Sequence, residues 1–254
     1  MPDRPRLDAV VFDAGGTLVR LDFEWMAECV AALNGAPSAE TLRRAEIEGR
    51  RRYDASMGRP ARAGDPHPPL GSRGDIREYL GGMLEAAGVP ERAREEALER
   101  FLERQAGPGL WARRMEGARE ALDGVAALGV RVAVVSNSDG RAEWHLERGG
   151  VREGIEFVVD SQIEGVEKPD PRILHIALDR LGVAPGHALY VGDIRSVDEA
   201  GARAAGMHFV LLDPYGDYGD GTVESIPNVR HLPAWVRTRF AVLAPGPAHP
   251  RRAT

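Results

Sequence analysis

Short apolar runs alternating with helix-length amphipathic segments constrain this chain more than any other feature. From Trp111 onward, Val130–Val135, Ile155–Val159, Ala188–Val191 and His208–Leu212 each read as a strand, and the segments 115–128, 140–149, 171–182 and 196–205 around them carry helical spacing. Strands that are apolar on both faces belong in a parallel sheet covered by helices on each side. An earlier run, Leu7–Phe12, has the same character and joins that sheet. The fold class expected is therefore α/β, a doubly wound parallel sheet.

Between the first strand and Trp111 the texture is different. Segments 22–34, 38–57, 75–87 and 91–105 read as helices, with Ser38 as an N-cap and Val89-Pro90 as a break, and no strand is convincing there. This section reads as a helical insertion. The expected organisation is core over 1–20, helical domain over 21–106, core over 107–243, and a mobile Pro-rich tail over 244–254.

Composition excludes several classes. The net charge of −6 makes the chain as a whole a poor electrostatic partner for nucleic acid or anionic lipid. Its apolar stretches fall short of the roughly 20 residues a membrane helix needs, and the N-terminus lacks a signal-peptide pattern. The single cysteine, Cys29, cannot form an internal disulfide, so a cytoplasmic setting is expected. Of the 33 basic residues only Lys168 is lysine. A chain that uses arginine elsewhere and keeps one lysine marks that position, because a compact ammonium and a guanidinium are not interchangeable. Lys168 is followed by Pro169, which excludes a phosphate loop of the GxxxxGK[ST] type.

In open α/β sheets the chemistry collects beyond the carboxyl ends of the strands. Three apolar runs end on polar side chains here: Asp13 after the first strand, Ser136-Asn137 after the second, and Asp193 after Tyr190-Val191-Gly192. Lys168, just before the helix opened by Pro171, can reach the same rim. Carboxylates, a hydroxyl and an ammonium together point to a divalent cation and a phosphoryl group, since Mg²⁺ prefers oxygen ligands and a carboxylate can attack phosphorus.

The segments Asp13-Ala14-Gly15-Gly16-Thr17-Leu18, Ser136-Asn137, Lys168-Pro169 and Gly192-Asp193-Ile194-Arg195-Ser196-Val197-Asp198 resemble, in order, the four motifs of the haloacid dehalogenase (HAD) superfamily. The resemblance spans about 7–212 and places the helical insertion where that family carries an α-helical cap on a Rossmann-like core. It implies a Mg²⁺-dependent hydrolase, a phosphatase acting on a small phosphorylated metabolite through an aspartyl phosphate. Asp13 would be nucleophile and metal ligand. The carbonyl of Gly15, with Asp193 and Asp198, would complete the metal site. Ser136 and Asn137 would bind the substrate, and Lys168 would offset charge between nucleophile and phosphoryl group.

One position departs from the family pattern. Family phosphatases carry a second aspartate two residues after the nucleophile, which protonates the leaving alcohol and later activates water. Here it is Gly15. General acid–base help is worth roughly 10²–10⁴-fold, so its loss matters most for poor leaving groups. The cap could supply an acid, with Asp22 and Glu24 as candidates. The alternatives are a non-catalytic phosphate- or partner-binding protein and a dehalogenase-type hydrolase. The phosphonate-cleaving branch, which needs a cap lysine, is excluded.

Lesser signals read as surface chemistry: Arg73-Gly74-Asp75, the glycine-rich 216–221 loop, and His67 among prolines. Histidine spacing does not suggest zinc. Arg50-Arg51-Arg52 reads as a solvated face of a cap helix that could also attract an anionic substrate. Partners are limited to a small-molecule substrate, with no nucleic acid and no membrane; the oligomeric state is open.

Overall fold

The computed structural model of the protein describes residues 4–33, 36–57, 75–218 and 221–242. His67, Arg73-Gly74, part of the 216–221 loop and the 244–254 tail lie outside the described residues. Six strands form one parallel sheet: β1 (Ala9–Phe12), β2 (Arg131–Ser136), β3 (Val158–Asp160), β4 (Ala188–Gly192), β5 (His208–Leu212) and β6 (Ser225–Ile226). Their order across the sheet is β3-β2-β1-β4-β5-β6. The chain thus starts in the middle, winds outward on one side, and crosses back to build the other. That reversal leaves a crevice between β1 and β4, where α/β sheets place their ligands.

The period of two along each strand builds two separate cores. Val10 and Phe12 of β1, Val132 and Val134 of β2, and Leu189 and Val191 of β4 pack on one face. They are covered by α5 (Ala118–Ala126), α6 (Ala142–Arg148) and α10 (Leu232–Arg239). Ala9, Val11, Ala133, Val135, Ala188 and Tyr190 face the other way, onto α8 (Pro171–Leu181) and α9 (Ala200–Ala204), which follow the single-turn α7 (Ser161–Glu164). A sheet apolar on both faces needs both layers, which is why these strands read as unbroken apolar runs.

The helical insertion is α1 (Phe23–Ala31), α2 (Ala39–Ser56), α3 (Ile76–Ala86) and α4 (Glu91–Ala106). It has its own apolar core, including Phe23, Met26, Leu42, Leu80, Met83 and Phe101. Ser38 caps α2 as expected, accepting the Thr41 N–H at 3.1 Å. Gly49 lets α2 and α3 close up: a Cβ there would lie 2.6 Å from the Tyr79 carbonyl oxygen. Where the chain enters and leaves the cap, Val19–Arg20 and Arg113–Arg114 pair antiparallel and tie the two crossings together.

Several boundaries differ from expectation. Leu7 leaves the main sheet, and Arg6–Leu7 pairs with Ala241–Val242 instead. The expected strand over Ile155–Val159 is regular only over Val158–Asp160, although Glu156 N–H already bonds the Val132 carbonyl. The helix expected over 196–205 begins with one wider turn over Arg195–Glu199, in which Ala200 N–H reaches back five residues to the Arg195 carbonyl. Among the elements not expected are β6 and α10. Among the described residues no helix is long and apolar enough to cross a membrane.

Candidate active site

Register delivers the site. Phe12 is level with Val134 of β2 and Val191 of β4, so Asp13, Ser136 and Asp193 leave neighbouring strands within a residue of one another. Gly16 makes the approach possible. Its backbone is left-handed at φ +81°, and a Cβ there would stand 2.2 Å from Asp193 Oδ2. Asp198 is turned back on the β4 end by the wide turn, and its Oδ2 accepts the N–H groups of Asp193 at 3.0 Å and Ile194 at 2.9 Å.

Lys168 lies at the centre and is 1% exposed. Its Nζ donates at 2.7 Å to each of Asp13 Oδ1, Asp198 Oδ1 and the Tyr190 hydroxyl oxygen. That uses all three ammonium protons, a geometry a planar guanidinium would not reproduce. Tyr190 in turn donates to the Val135 carbonyl at 2.8 Å. The side chain of Asn137 is committed to the Lys168 backbone, donating to its carbonyl and accepting its N–H, both at 2.8 Å. The Asn137 side chain thereby locks the lysine loop in place. Ser136 is buried at the end of β2.

Burial makes the carboxylates costly as anions. It pushes Asp13 up to about 6, against the pull of Lys168 and with a further push from Asp198. Burial also raises Asp193 well above the ordinary carboxylate range, although Arg50 pulls it down. Burial alone would push the Lys168 ammonium down, but Asp13 and Asp198, with Tyr190, hold it protonated well above its ordinary value. Asp13, Asp193 and Asp198 each offer a carboxylate oxygen within 4.8 Å of the others. An all-oxygen set of this size and charge suits a hard divalent cation, whose charge would relieve their mutual repulsion.

The cap closes the other side with Arg50, already noted as a candidate to attract an anion, and with Glu46, Tyr79, Trp111 and Asp54, which the sequence did not mark. Arg50 of α2 is buried, with Nη2 lying 3.2 Å from Asp193 Oδ2 and 3.3 Å from Glu46 Oε2. The solvated face expected for the arginine triplet therefore holds for Arg51, which is 57% exposed at its side chain, but not for Arg50. Tyr79 of α3 donates to Glu46 Oε1 at 2.7 Å, and its ring lies 6.2 Å from that of Trp111. Trp111 packs over Gly15: a Cβ at that position would lie 3.1 Å from the indole. Asp54 of α2 also reaches the core, accepting hydrogen bonds from the Ser196 and Tyr218 hydroxyls. A helical stripe of Glu46, Arg50 and Asp54 at i, i+4 and i+8 is the signal that could have found this face.

The two cap acids suggested by sequence do not face the site as free carboxyls. Asp22 caps α1 and is held by Arg104 at 2.9 Å and Arg113 at 3.0 Å. Glu24 is largely exposed and paired with Arg20, whose hydrogen bonds hold it down to about 2.

The sequence family described as haloacid dehalogenase-like hydrolase matches residues 7–206. Haloacid dehalogenase-like hydrolase domain-containing protein 3 of Bos taurus is 40% identical over 127 residues, which span 50% of this chain and 50% of that protein. Phosphatase MT3486 of Mycobacterium tuberculosis is 29% identical over 227 residues, 88% of this chain and 95% of its own length. Among solved structures, a HAD phosphatase from Thermococcus onnurineus superposes with a TM-score of 0.55 at 22% identity, covering 93% of this chain and all (100%) of that one. At that identity the superposition speaks for the fold alone. With the family match spanning both core segments and the cap between them, this chain belongs to the haloacid dehalogenase-like hydrolases.

Proposed function

We propose that this hydrolase is a Mg²⁺-dependent phosphatase acting on a small phosphorylated metabolite through an aspartyl phosphate on Asp13. The observation that carries the reading is the Lys168 ammonium, held at 2.7 Å from both Asp13 and Asp198 beside Asp193. A carboxylate nucleophile, a fixed cation and an oxygen-donor metal site are the parts phosphoryl transfer requires, since it depends on positioning and charge stabilisation. The name of the mycobacterial relative supports the same reading.

Asp13, the Gly15 carbonyl and Asp193 would hold the Mg²⁺, with Asp198 bracing the site through its bonds to Lys168 and to two backbone N–H groups. The metal would neutralise phosphate charge. Asp13 attacks phosphorus in line, Lys168 and Ser136 hold transferring oxygens, and water then opens the acyl phosphate. Asn137 acts by fixing Lys168.

The test is Mg²⁺-dependent release of 4-nitrophenol from its phosphate ester, comparing the wild type with Asp13→Asn. That leaving group is a stable anion and needs little protonation. Metal-dependent turnover lost in Asp13→Asn by at least about 10³-fold is the expected result. Folded wild-type protein that binds Mg²⁺ without turnover would move the assignment to a phosphate-binding protein. Metal-independent release of halide from a 2-haloacid would move it to a dehalogenase.

A further inference from the structure

Gly15 leaves the reaction without the carboxyl that usually sits two residues after the nucleophile, and the cap brings another carboxyl, Glu46, into contact with the residues that meet this loop. A continuous chain of contacts runs from Gly15 through Glu46 back to Gly16. Trp111 packs on Gly15, Tyr79 packs on Trp111, and the Tyr79 hydroxyl bonds Glu46. Glu46 then meets Arg50, and Arg50 meets Asp193, whose carboxylate packs against Gly16. The Glu46 and Asp193 carboxylates are separated by a single guanidinium nitrogen, Arg50 Nη2, at 3.3 and 3.2 Å.

The other acids nearby are committed. Asp22 is held by two arginines and a helix N-terminus, Glu24 is exposed and ion-paired, and Asp54 accepts from two hydroxyls. Glu46 is buried, accepts from Tyr79 on one oxygen, and has the other at 3.3 Å from Arg50 Nη2, at the long end of a hydrogen bond. Arg50 Nε is itself buried without a hydrogen-bond partner. A phosphoryl dianion bound beside Asp193 would compete for that guanidinium and leave Glu46 Oε2 free to face the leaving oxygen.

We propose that Glu46 is the general acid and base of this enzyme, doing from the cap what Gly15 cannot do from the nucleophile loop. The inference rests on the phosphatase reading. In the first half-reaction the Asp13 oxygen bonds phosphorus as the bond from phosphorus to the leaving oxygen breaks. The electron pair goes to that oxygen, which takes the Glu46 proton. In the second, Glu46 takes a proton from water as the water oxygen bonds phosphorus and the bond from phosphorus to Asp13 breaks. Phosphate leaves and Glu46 is protonated again.

Glu46→Gln keeps an acceptor for the Tyr79 hydroxyl, so it tests the proton rather than the packing. The measurement is kcat/KM against a series from 4-nitrophenyl phosphate through phenyl phosphate to an alkyl phosphate. Because kcat/KM reports the first half-reaction, the variant should lose about 10²–10⁴-fold on the alkyl ester and less than about tenfold on the 4-nitrophenyl ester. Its dependence on leaving-group pKa therefore steepens. With 4-nitrophenyl phosphate the second half-reaction slows, so a burst of nitrophenol equal to the enzyme concentration should precede a slow steady state. Glu46→Asp, which keeps the acid, should recover part of the alkyl activity. Equal losses on all esters, with no burst, would make Glu46 a structural residue and overturn the proposal, as would no loss on any. Absence of turnover in the wild type would instead remove the phosphatase reading, and this proposal with it.

Discussion

At the scale of single residues, the site is organised around what Gly15 and Lys168 each permit. Gly15 has an ordinary backbone conformation, so any side chain could be accommodated by the chain itself. The obstacle is Trp111, whose indole would stand 3.1 Å from a new Cβ. Restoring the usual aspartate by Gly15→Asp therefore requires the ring to move by a few tenths of an ångström or more. In a Glu46→Gln background, Gly15→Asp alone should restore a small part of the alkyl phosphate activity, and Gly15→Asp combined with Trp111→Ala should restore more, on the order of ten- to hundredfold in kcat/KM. A double variant no better than the single would show that Trp111 does not control the position. Lys168 is the opposite case. Its three protons are all used inside a buried cage, so no arginine from this arginine-rich composition could replace it.

At the scale of elements, helix ends and strand ends do the positioning. The loop between β2 and α6 is pinned by Asp160, which accepts from the N–H groups of Gly140 at 3.1 Å and Ala142 at 3.0 Å. On α6, His145 packs against the chain leaving the cap: a Cβ at Gly109 would lie 2.2 Å from its Cε1. Burial pushes the His145 imidazole below its ordinary value of 6.5, with Arg141 and Arg148 adding to that and Asp139 and Asp160 opposing it. Its Nδ1 has no partner. Between the lowered folded value and 6.5 the unfolded chain binds more protons than the folded one, so stability rises with pH across that window. Asp13 and Asp193, raised by burial, act in the opposite sense over this range, so the His145 contribution is read as a difference between wild type and variant. From pH 7 toward pH 5 the wild type should lose stability relative to His145→Gln, measured by urea unfolding of both at successive pH values. Parallel curves would place the titration elsewhere.

At the scale of the whole molecule, catalysis depends on how a helical cap sits on a sheet. Asp54 joins the two through the Ser196 and Tyr218 hydroxyls, and Arg50 through Asp193. Leaving two hydroxyls without their acceptor costs about 1–3 kcal/mol each where they stay buried, so Asp54→Ala should favour the open arrangement. Small-angle scattering should then give a larger radius of gyration than for the wild type, and KM for 4-nitrophenyl phosphate should rise. An unchanged radius would assign closure to Arg50 and the apolar contacts instead.

Much of this architecture was legible beforehand because parallel sheets leave a local trace. Asp13, Ser136 and Asp193 each end an apolar run, and strand ends of such a sheet share one rim whatever the remaining packing. Lys168 stood out by composition alone. The last strand and helix were not legible, since β6 is only two residues long and carries no period. The change of partner by Arg6–Leu7 was hidden for the same reason.

The meeting of four residues over the site was beyond sequence for a different reason. Glu46, Arg50, Tyr79 and Trp111 come from α2, α3 and the chain after α4, and their meeting depends on how those helices dock on each other and on the core. Helical periodicity says which side of a helix is buried but not what it is buried against. The α/β class, the inserted cap and the four-motif rim can be read without a structure, because each rests on short-range periodicity or on side chains next to strand ends. That Arg50 meets Asp193 and Trp111 meets Gly15 is a property of the fold alone, because contacts between distant segments are set by packing and close approach, and neither leaves a period in the chain.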